Sequence, residues 1–331
     1  MWLETSHMSM THPRPIVALS GGVGGAKLSL GLLRTLPADS LTVIVNTADD
    51  FTHLGLRISP DVDTTVYTLA DIVNPETGWG RRDETWNFMA AAAALGGETW
   101  FRLGDGDMAM HVERTRRLAT GQSLSQITAD MARRLNIPAS IIPMTDDIVA
   151  TIVATDAGDL AFQDYFVRHQ CAPGVVSLRF AGAEQARLAA AAAAALGNPG
   201  LQAVVICPSN PYLSIDPILA IPGMKDLLHG CPAPIVAVSP LVGGKAVKGP
   251  TAKIMTELDL SVSSLEIARH YAGIIDGLVA DIEDRHLAGQ FDLPVLFTET
   301  LMSSLADRER LASEVIRFAE GLVKQRKSHA G

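Results

Sequence analysis

One stretch near the start constrains this chain more than any other. Pro15–Ser20 (PIVALS) is a short apolar run without alternation, the pattern of a strand buried on both faces. Gly21–Gly25 follows as a turn, Ala26–Leu36 reads as a helix, and Leu41–Asn46 (LTVIVN) is a second strand. Parallel strands need a crossover, usually helical, so this order opens a parallel α/β sheet. Further buried strands are expected at Ala203–Pro208, Ile235–Ser239, Gly277–Asp281 and Pro294–Phe297. The chain has 331 residues, 47% of them hydrophobic, enough to bury one large core. The expected fold is therefore α/β: a Rossmann-like, mostly parallel sheet with helices on both faces.

The crossovers carry helix signals. Thr85–Leu95 and Ala183–Leu196 are alanine-rich, and Asp307–Lys324 has the pattern of a long amphipathic helix. Ser123 with Gln126, and Ser263 with Glu266, have the spacing of capping boxes. The middle departs from this rhythm. Val149–Ala154, Leu160–Phe166 and Val175–Phe180 are β-like runs separated by turns such as Asp156–Asp159. An antiparallel subregion near 145–182 is expected, inserted between two parallel halves. Residues 1–13 lack the apolar core of a signal peptide and read as a disordered leader, with 14–331 forming one domain.

Charge and cysteine usage narrow the function. A net charge of -9 argues against a nucleic-acid partner and requires local cations, or a metal, for any polyanionic substrate. The most apolar segment, Leu188–Leu196, is too short and too weakly hydrophobic for a membrane span. Cys171, Cys207 and Cys231 are scattered, with no C-x-x-C pair, so they read as small thiols in a reducing cytoplasm rather than as a zinc site or a disulfide framework.

The candidate chemistry falls at strand ends, where ligands bind in open parallel sheets. Ser20–Lys27 (SGGVGGAK) joins a strand to a helix. Gly21, Gly22, Gly24 and Gly25 let the backbone approach an anion at the helix start, and Lys27 adds charge. Asn46–Asp50 (NTADD) follows the second strand, and Asp61 and Asp63 follow in SPDVDT. A helix cap accounts for one of these acids. All four, Asp49, Asp50, Asp61 and Asp63, point to a hard cation such as magnesium. Gly78–Trp86 (GWGRRDETW) sets Arg81 and Arg82 between two tryptophans, a site for phosphate or hydroxyl-rich groups with Trp79 to stack on a flat ring. Leu103–His111 (LGDGDMAMH) lacks the later ligands of a calcium loop and reads as a cap, with His111 structural. In the second half Ser209 and Asn210 follow one strand, and Lys245 and Lys248 lie in SPLVGGKAVKGP after the next. Two such loops on one sheet edge compose a nucleotide site.

The ordered series GGVGGAK, NTADD, HLGLRISPDVDT, GWGRRDETW, LGDGDMAMH, MTDD, FQDYFVR, SNPYLSIDPIL and VSPLVGGKAVKGP resembles the CofD family, called FbiA in actinobacteria. These are the 2-phospho-L-lactate transferases of coenzyme F-420 biosynthesis. The resemblance runs from about Pro15 into the last helix. It implies a homodimer, magnesium dependence, and two substrates: the deazaflavin alcohol FO and a guanosine diphospho-donor. FO and metal positions carry over onto Asp49, Asp50 and Asp61. The FO-contacting arginine carries over onto Arg82 or Arg81. One departure stands out, because Gly106 takes the place of the arginine in LGDRD-type loops.

The implied reaction attacks the donor phosphorus distal to guanosine with the terminal hydroxyl of FO, releasing GMP and forming F-420-0 or an analogue. The transferred acid is 2-phospho-L-lactate, phosphoenolpyruvate or 3-phosphoglycerate. Asp49 and Asp50 divide metal binding and hydroxyl activation, with Lys27, Lys245 and Lys248 assisting. Two rivals stand beside this reading. One is a nucleotide-sugar-binding regulator of the related gluconeogenesis-factor family. The other is an NAD-dependent oxidoreductase, weakened because the second strand ends in Asn46 with no acid at its tip for a ribose.

Overall fold

The computed structural model describes residues 15–329, so the expected leader lies outside the described residues. Seven strands form the central sheet: β1 (Ile16–Ser20), β2 (Leu41–Val45), β3 (Ser140–Pro143), β4 (Ala203–Ile206), β5 (Ile235–Val238), β6 (Gly277–Asp281) and β7 (Val295–Thr298). Their order is β7-β6-β5-β4-β1-β2-β3, with every pairing parallel. The chain winds outward from β1 in one direction, then returns to β4 and winds outward in the other. The switch point lies between β1 and β4, where an open sheet of this kind leaves a crevice.

Alternation along β1 explains why both faces are covered. Val17 and Leu19 belong to one apolar cluster, Ile16 and Ala18 to the other. On the second face lie α1 (Gly22–Thr35), α2 (Pro60–Leu69) and the terminal helix Leu305–His329. The first face is covered by helices between β4 and β6 and by the inserted sheet. That sheet has the strand order 158–161, 150–155, 175–181 and is antiparallel throughout.

Three expectations need correction. The run Leu160–Phe166 is a strand only to Ala161; Asp164–Arg168 then forms a single wide helical turn. Ala183–Leu196 is helical only at Ala183–Gln185 and Ala190–Leu196. Between them the backbone is committed elsewhere, with Arg187 N donating to Asp147 Oδ2 and Ala189 N to the Met144 carbonyl. Alanine propensity loses there to tertiary hydrogen bonds. The Ser123–Gln126 capping box is complete, whereas Ser263 only accepts from Glu266 N.

Candidate functional site

A cleft of about 570 Å³ opens over the switch point. Its floor is built from the loops after β1, β2 and β4. The Gly21 N–H donates to Ser209 Oγ at 3.0 Å, which ties the first loop to the third across the switch point. The Gly22 N–H, at the start of α1, donates to Asp61 Oδ1 at 2.7 Å. Gly21 must lack a side chain, because a Cβ there would come within 2.6 Å of Asp61 Oδ2.

Asp49 and Asp61 both line the cleft, and Asn46 bridges them. Its amide Nδ2 donates to Asp49 Oδ1 and Asp61 Oδ2, each at 3.1 Å. Burial, with Asp61 and Asp50 close by, holds the Asp49 carboxyl well above the ordinary carboxylate range. Burial likewise lifts Asp61 to about 6, against the pull of Asn46 and Gly22. Two carboxylates sharing one donor in a low-dielectric site favour a proton or a cation between them. Among the described residues no three His, Cys, Asp or Glu side chains converge as a ready-made metal cage. An oxygen-only pair facing a cleft still fits magnesium, which typically takes one or two carboxylates and fills its shell with phosphate oxygens and water.

The other two acids of the sequence motif have partners of their own. Asp50 does not line the cleft; its side chain is covered, its Oδ2 accepts from Ser59 Oγ at 2.6 Å, and Arg57 stands 3.9 Å away. Burial still raises it to about 7. Asp63 lines the cleft, but both its oxygens are taken by the fully buried Arg114, on α4 (Asp105–Ala119), beyond α3 (Asn87–Ala94). Arg114 carried no sequence signal, since an arginine in an amphipathic helix ordinarily faces water.

The opposite wall comes from the loops after β4 and β5 and from 300–302. Ser209, Asn210, Ser239 and Lys248 line it. Lys248 Nζ donates to the Thr77 carbonyl at 2.9 Å, and Lys27 Nζ to the Met302 carbonyl at 2.9 Å. Burial, with Arg308 and Lys248 nearby, lowers the Lys27 pKa. Lys245 and Gly25 do not reach the cleft.

The aromatic region differs from its sequence reading. Trp79 lines the cleft, but Arg81 and Arg82 do not. Arg82 is exposed, and Arg81 Nη1 donates to the Gly106 carbonyl at 3.3 Å. Trp86 instead supports Arg102, whose guanidinium lies 4.1 Å from the ring centroid and which does line the cleft. Further aromatic lining comes from Trp100 and Phe101, which carried no sequence signal, and from Phe162 and Phe166 of the FQDYFVR segment. Phe162 and Phe166 stack at 5.3 Å. The inserted subregion also buttresses the acidic loop, with Gln163 Nε2, just past the strand that ends at Ala161, donating to the Asp49 carbonyl at 3.2 Å. Gly106 has a local reason: the Glu84 carboxylate accepts from Gly106 N and Asp107 N, and a Cβ at 106 would lie 3.0 Å from it.

Residues 16–320 match the family model described as 2-phospho-L-lactate transferase CofD. The chain is 37% identical over 317 residues to a phosphoenolpyruvate transferase of Kitasatospora aureofaciens, spanning 94% of this chain and 98% of the relative. It is 39% identical over 311 residues to a 2-phospho-L-lactate transferase of Methanocaldococcus jannaschii, spanning 93% and 99%. Among solved structures, a protein of the UPF0052 family from Bacillus halodurans superposes with a TM-score of 0.62 at 15% identity, over 92% of this chain and 99% of that one. This last likeness speaks to the fold alone.

Proposed function

The chain belongs to the 2-phospho-L-lactate transferase CofD family, and on that premise we propose that it transfers a phospho-acid from a guanosine diphospho-donor to FO, releasing GMP. The observation that carries the reading is the bridged Asp49–Asp61 pair at the switch point, facing the lysine-bearing wall across one cleft. Phosphoryl transfer asks mainly for position and charge compensation, and this cleft offers both signs.

In the proposed step the terminal hydroxyl oxygen of FO bonds to the donor phosphorus distal to guanosine. The bond from that phosphorus to the bridging oxygen breaks, and GMP leaves with the electron pair. Asp49 takes the hydroxyl proton on the carboxylate oxygen that Asn46 leaves free. Lys27 and Lys248 offset the charge on the departing phosphate. Asp49 and Asp61 are the residues that would hold magnesium, which supplies neutralisation of the diphosphate. Asp50 steadies the loop from behind through Ser59 and Arg57. Asp63, answered by Arg114, is left out of the proposed cation site.

The relatives are named for two different transferred acids at nearly equal identity, so the donor is a question for experiment. Purified protein is incubated with FO and, separately, the phospholactyl, phosphoenolpyruvyl and phosphoglyceryl guanosine donors. GMP release with a matching deazaflavin phosphodiester by mass spectrometry supports the reading. No GMP from any donor removes it and returns weight to a nucleotide-binding regulator. We place the working unit as a homodimer, which light scattering tests.

A further inference from the structure

A fourth carboxylate lines the cleft outside the acidic motifs used so far. Asp107, in the first turn of α4, lines the cleft with 15% of its side chain exposed. Two neighbours fix its direction. Tyr67 OH donates to Asp107 Oδ1 at 2.5 Å, and His111 Nε2 stands 3.1 Å from Asp107 Oδ2. His111 Nδ1 lies 3.3 Å from Arg114 Nη1. A guanidinium offers only donors, so Nδ1 accepts and Nε2 carries the hydrogen toward Asp107. Arg114 thus orients His111, whose Nε2 stands against one oxygen of Asp107, and Tyr67 holds the other.

Asp107 is thus the electrical opposite of Asp49 and Asp61. Burial alone would push it up, but the contacts with His111 and Tyr67 outweigh that, and its carboxyl sits below the ordinary range. An ionised carboxylate with each oxygen already holding one neighbour is a weak base. It remains a strong acceptor, because each oxygen keeps a free lone pair. Such a group recognises neutral hydrogen-bond donors.

Its place in the cleft says which donor. Tyr67 follows Asp61 on α2 by six residues, about 9 Å of helix rise. Asp107 stands one imidazole away from Asp63, with His111 3.1 Å from the first and 3.7 Å from the second, and so lines the acidic half of the cleft. Trp100 and Phe101 line the cleft together with the acids, Trp79 stands in the segment that Lys248 holds through the Thr77 carbonyl, and Ser209 and Asn210 line the cleft from the loop after β4. In a doubly wound sheet each half takes one half of the ligand set. A molecule with a flat ring and a hydroxylated chain ending at the phosphorus would lay its hydroxyls along this half.

We propose that Asp107, aimed by Tyr67 and His111, binds an internal hydroxyl of the acceptor's polyol chain and so positions the terminal hydroxyl for attack. This rests on the acceptor reading above. The test measures FO binding by its fluorescence without donor, and initial rates with magnesium and donor present. Asp107→Asn should weaken FO binding about 10-fold or more, the loss of a charge-assisted hydrogen bond. The KM for the guanosine donor should stay unchanged. Tyr67→Phe, which alters only one hydroxyl, should weaken FO in the same sense by a smaller factor, and keeps the test open if Asp107→Asn fails to fold. The decisive arm is an FO analogue lacking the internal hydroxyls of its side chain. Wild-type protein should bind it less tightly than FO, while Asp107→Asn should bind the two equally. A raised donor KM with unchanged FO affinity would move Asp107 to the guanine edge and overturn the assignment. So would a full analogue penalty in Asp107→Asn. Wild-type protein that binds no FO would overturn the acceptor reading itself, and this with it.

Discussion

On the β2 side of the switch point the cleft is lined by Asp49, Asp61, Asp63 and Asp107; on the β4–β5 side it is lined by Ser209, Asn210, Ser239 and Lys248. The acidic half carries its own internal cations, Arg57 and Arg114, but they sit behind the carboxylates rather than in the cleft. The other half offers neutral donors and a lysine, with Lys27 at the seam between them. Asp63 is the acid whose charge is fully matched from within. Asp49 and Asp61 share an asparagine amide and no cation. The difference teaches where an outside charge is needed. A diphosphate can rest on the second half unaided, but it reaches the first only with something positive between Asp49 and Asp61.

Removing that cation is the largest perturbation of the contrast. With a chelator in excess, turnover should fall to background, and added magnesium should restore it. Manganese should substitute in part, because it accepts the same oxygen ligands, and zinc poorly, because no histidine or cysteine accompanies the pair. Full turnover after exhaustive chelation would mean that lysines alone serve the diphosphate. Next in size is Asp49→Ala, expected to lower turnover on the order of 100-fold or more. Its melting temperature should hold or rise, because one of two mutually repelling buried carboxylates is gone. A large drop in melting temperature with activity intact would make Asp49 a structural residue.

The paired acid responds in the opposite way. Arg114→Met strands Asp63 in a dry site, and urea unfolding should show a loss of about 3–5 kcal/mol. A loss below about 1 kcal/mol would mean that Asp63 reaches water or a proton without its partner.

Smaller still is the pH dependence of the metal-free protein. Asp50 and Asp61 are raised from 3.8 to about 7 and about 6. In that window the folded chain binds more protons than the unfolded one, so stability falls as pH rises from about 4 toward about 7. The melting temperature in chelator should therefore be higher at pH 5.5 than at pH 7.5. Saturating magnesium should flatten the slope by taking the place of the proton at Asp61. A slope of the opposite sign would show these carboxyls ionised at little cost.

Much of this was legible in the sequence, and the reasons for the rest are physical. The unalternating runs at β1, β2, β4, β5 and β6 mark a sheet buried on both sides, and glycines beside a lysine mark a backbone that approaches an anion. Asp49 and Asp61 were visible because acids after a buried strand need an explanation. Asp107 and Arg114 were not. Both sit in a helix whose pattern gives them ordinary exposed roles, and only packing against α2 brings Tyr67 and Asp63 to meet them. The arginine next to a tryptophan misled for a related reason. Trp86 does hold an arginine, but from residue 102, a partner that adjacency along the chain cannot reveal.

That exchange gives the smallest and most diagnostic pair of variants. Arg82 is exposed and outside the cleft, and among the described residues its backbone N–H donates to the Ile72 carbonyl. Arg102 lines the cleft with its plane fixed over Trp86. If the acidic half receives FO, a guanidinium on its wall should touch the ring or its substituents. Arg102→Ala should then weaken FO binding about 10-fold, with donor KM unchanged. Arg82→Ala should leave both constants within about twofold, as exposed substitutions away from a site usually do. Equal FO losses for the two variants would mean that residues 78–86 close over the cleft when FO binds. A loss for Arg82→Ala alone would restore the family-based assignment of the FO arginine to that position. A donor effect for Arg102→Ala would place phosphate on the acidic half and break the division on which the contrast rests.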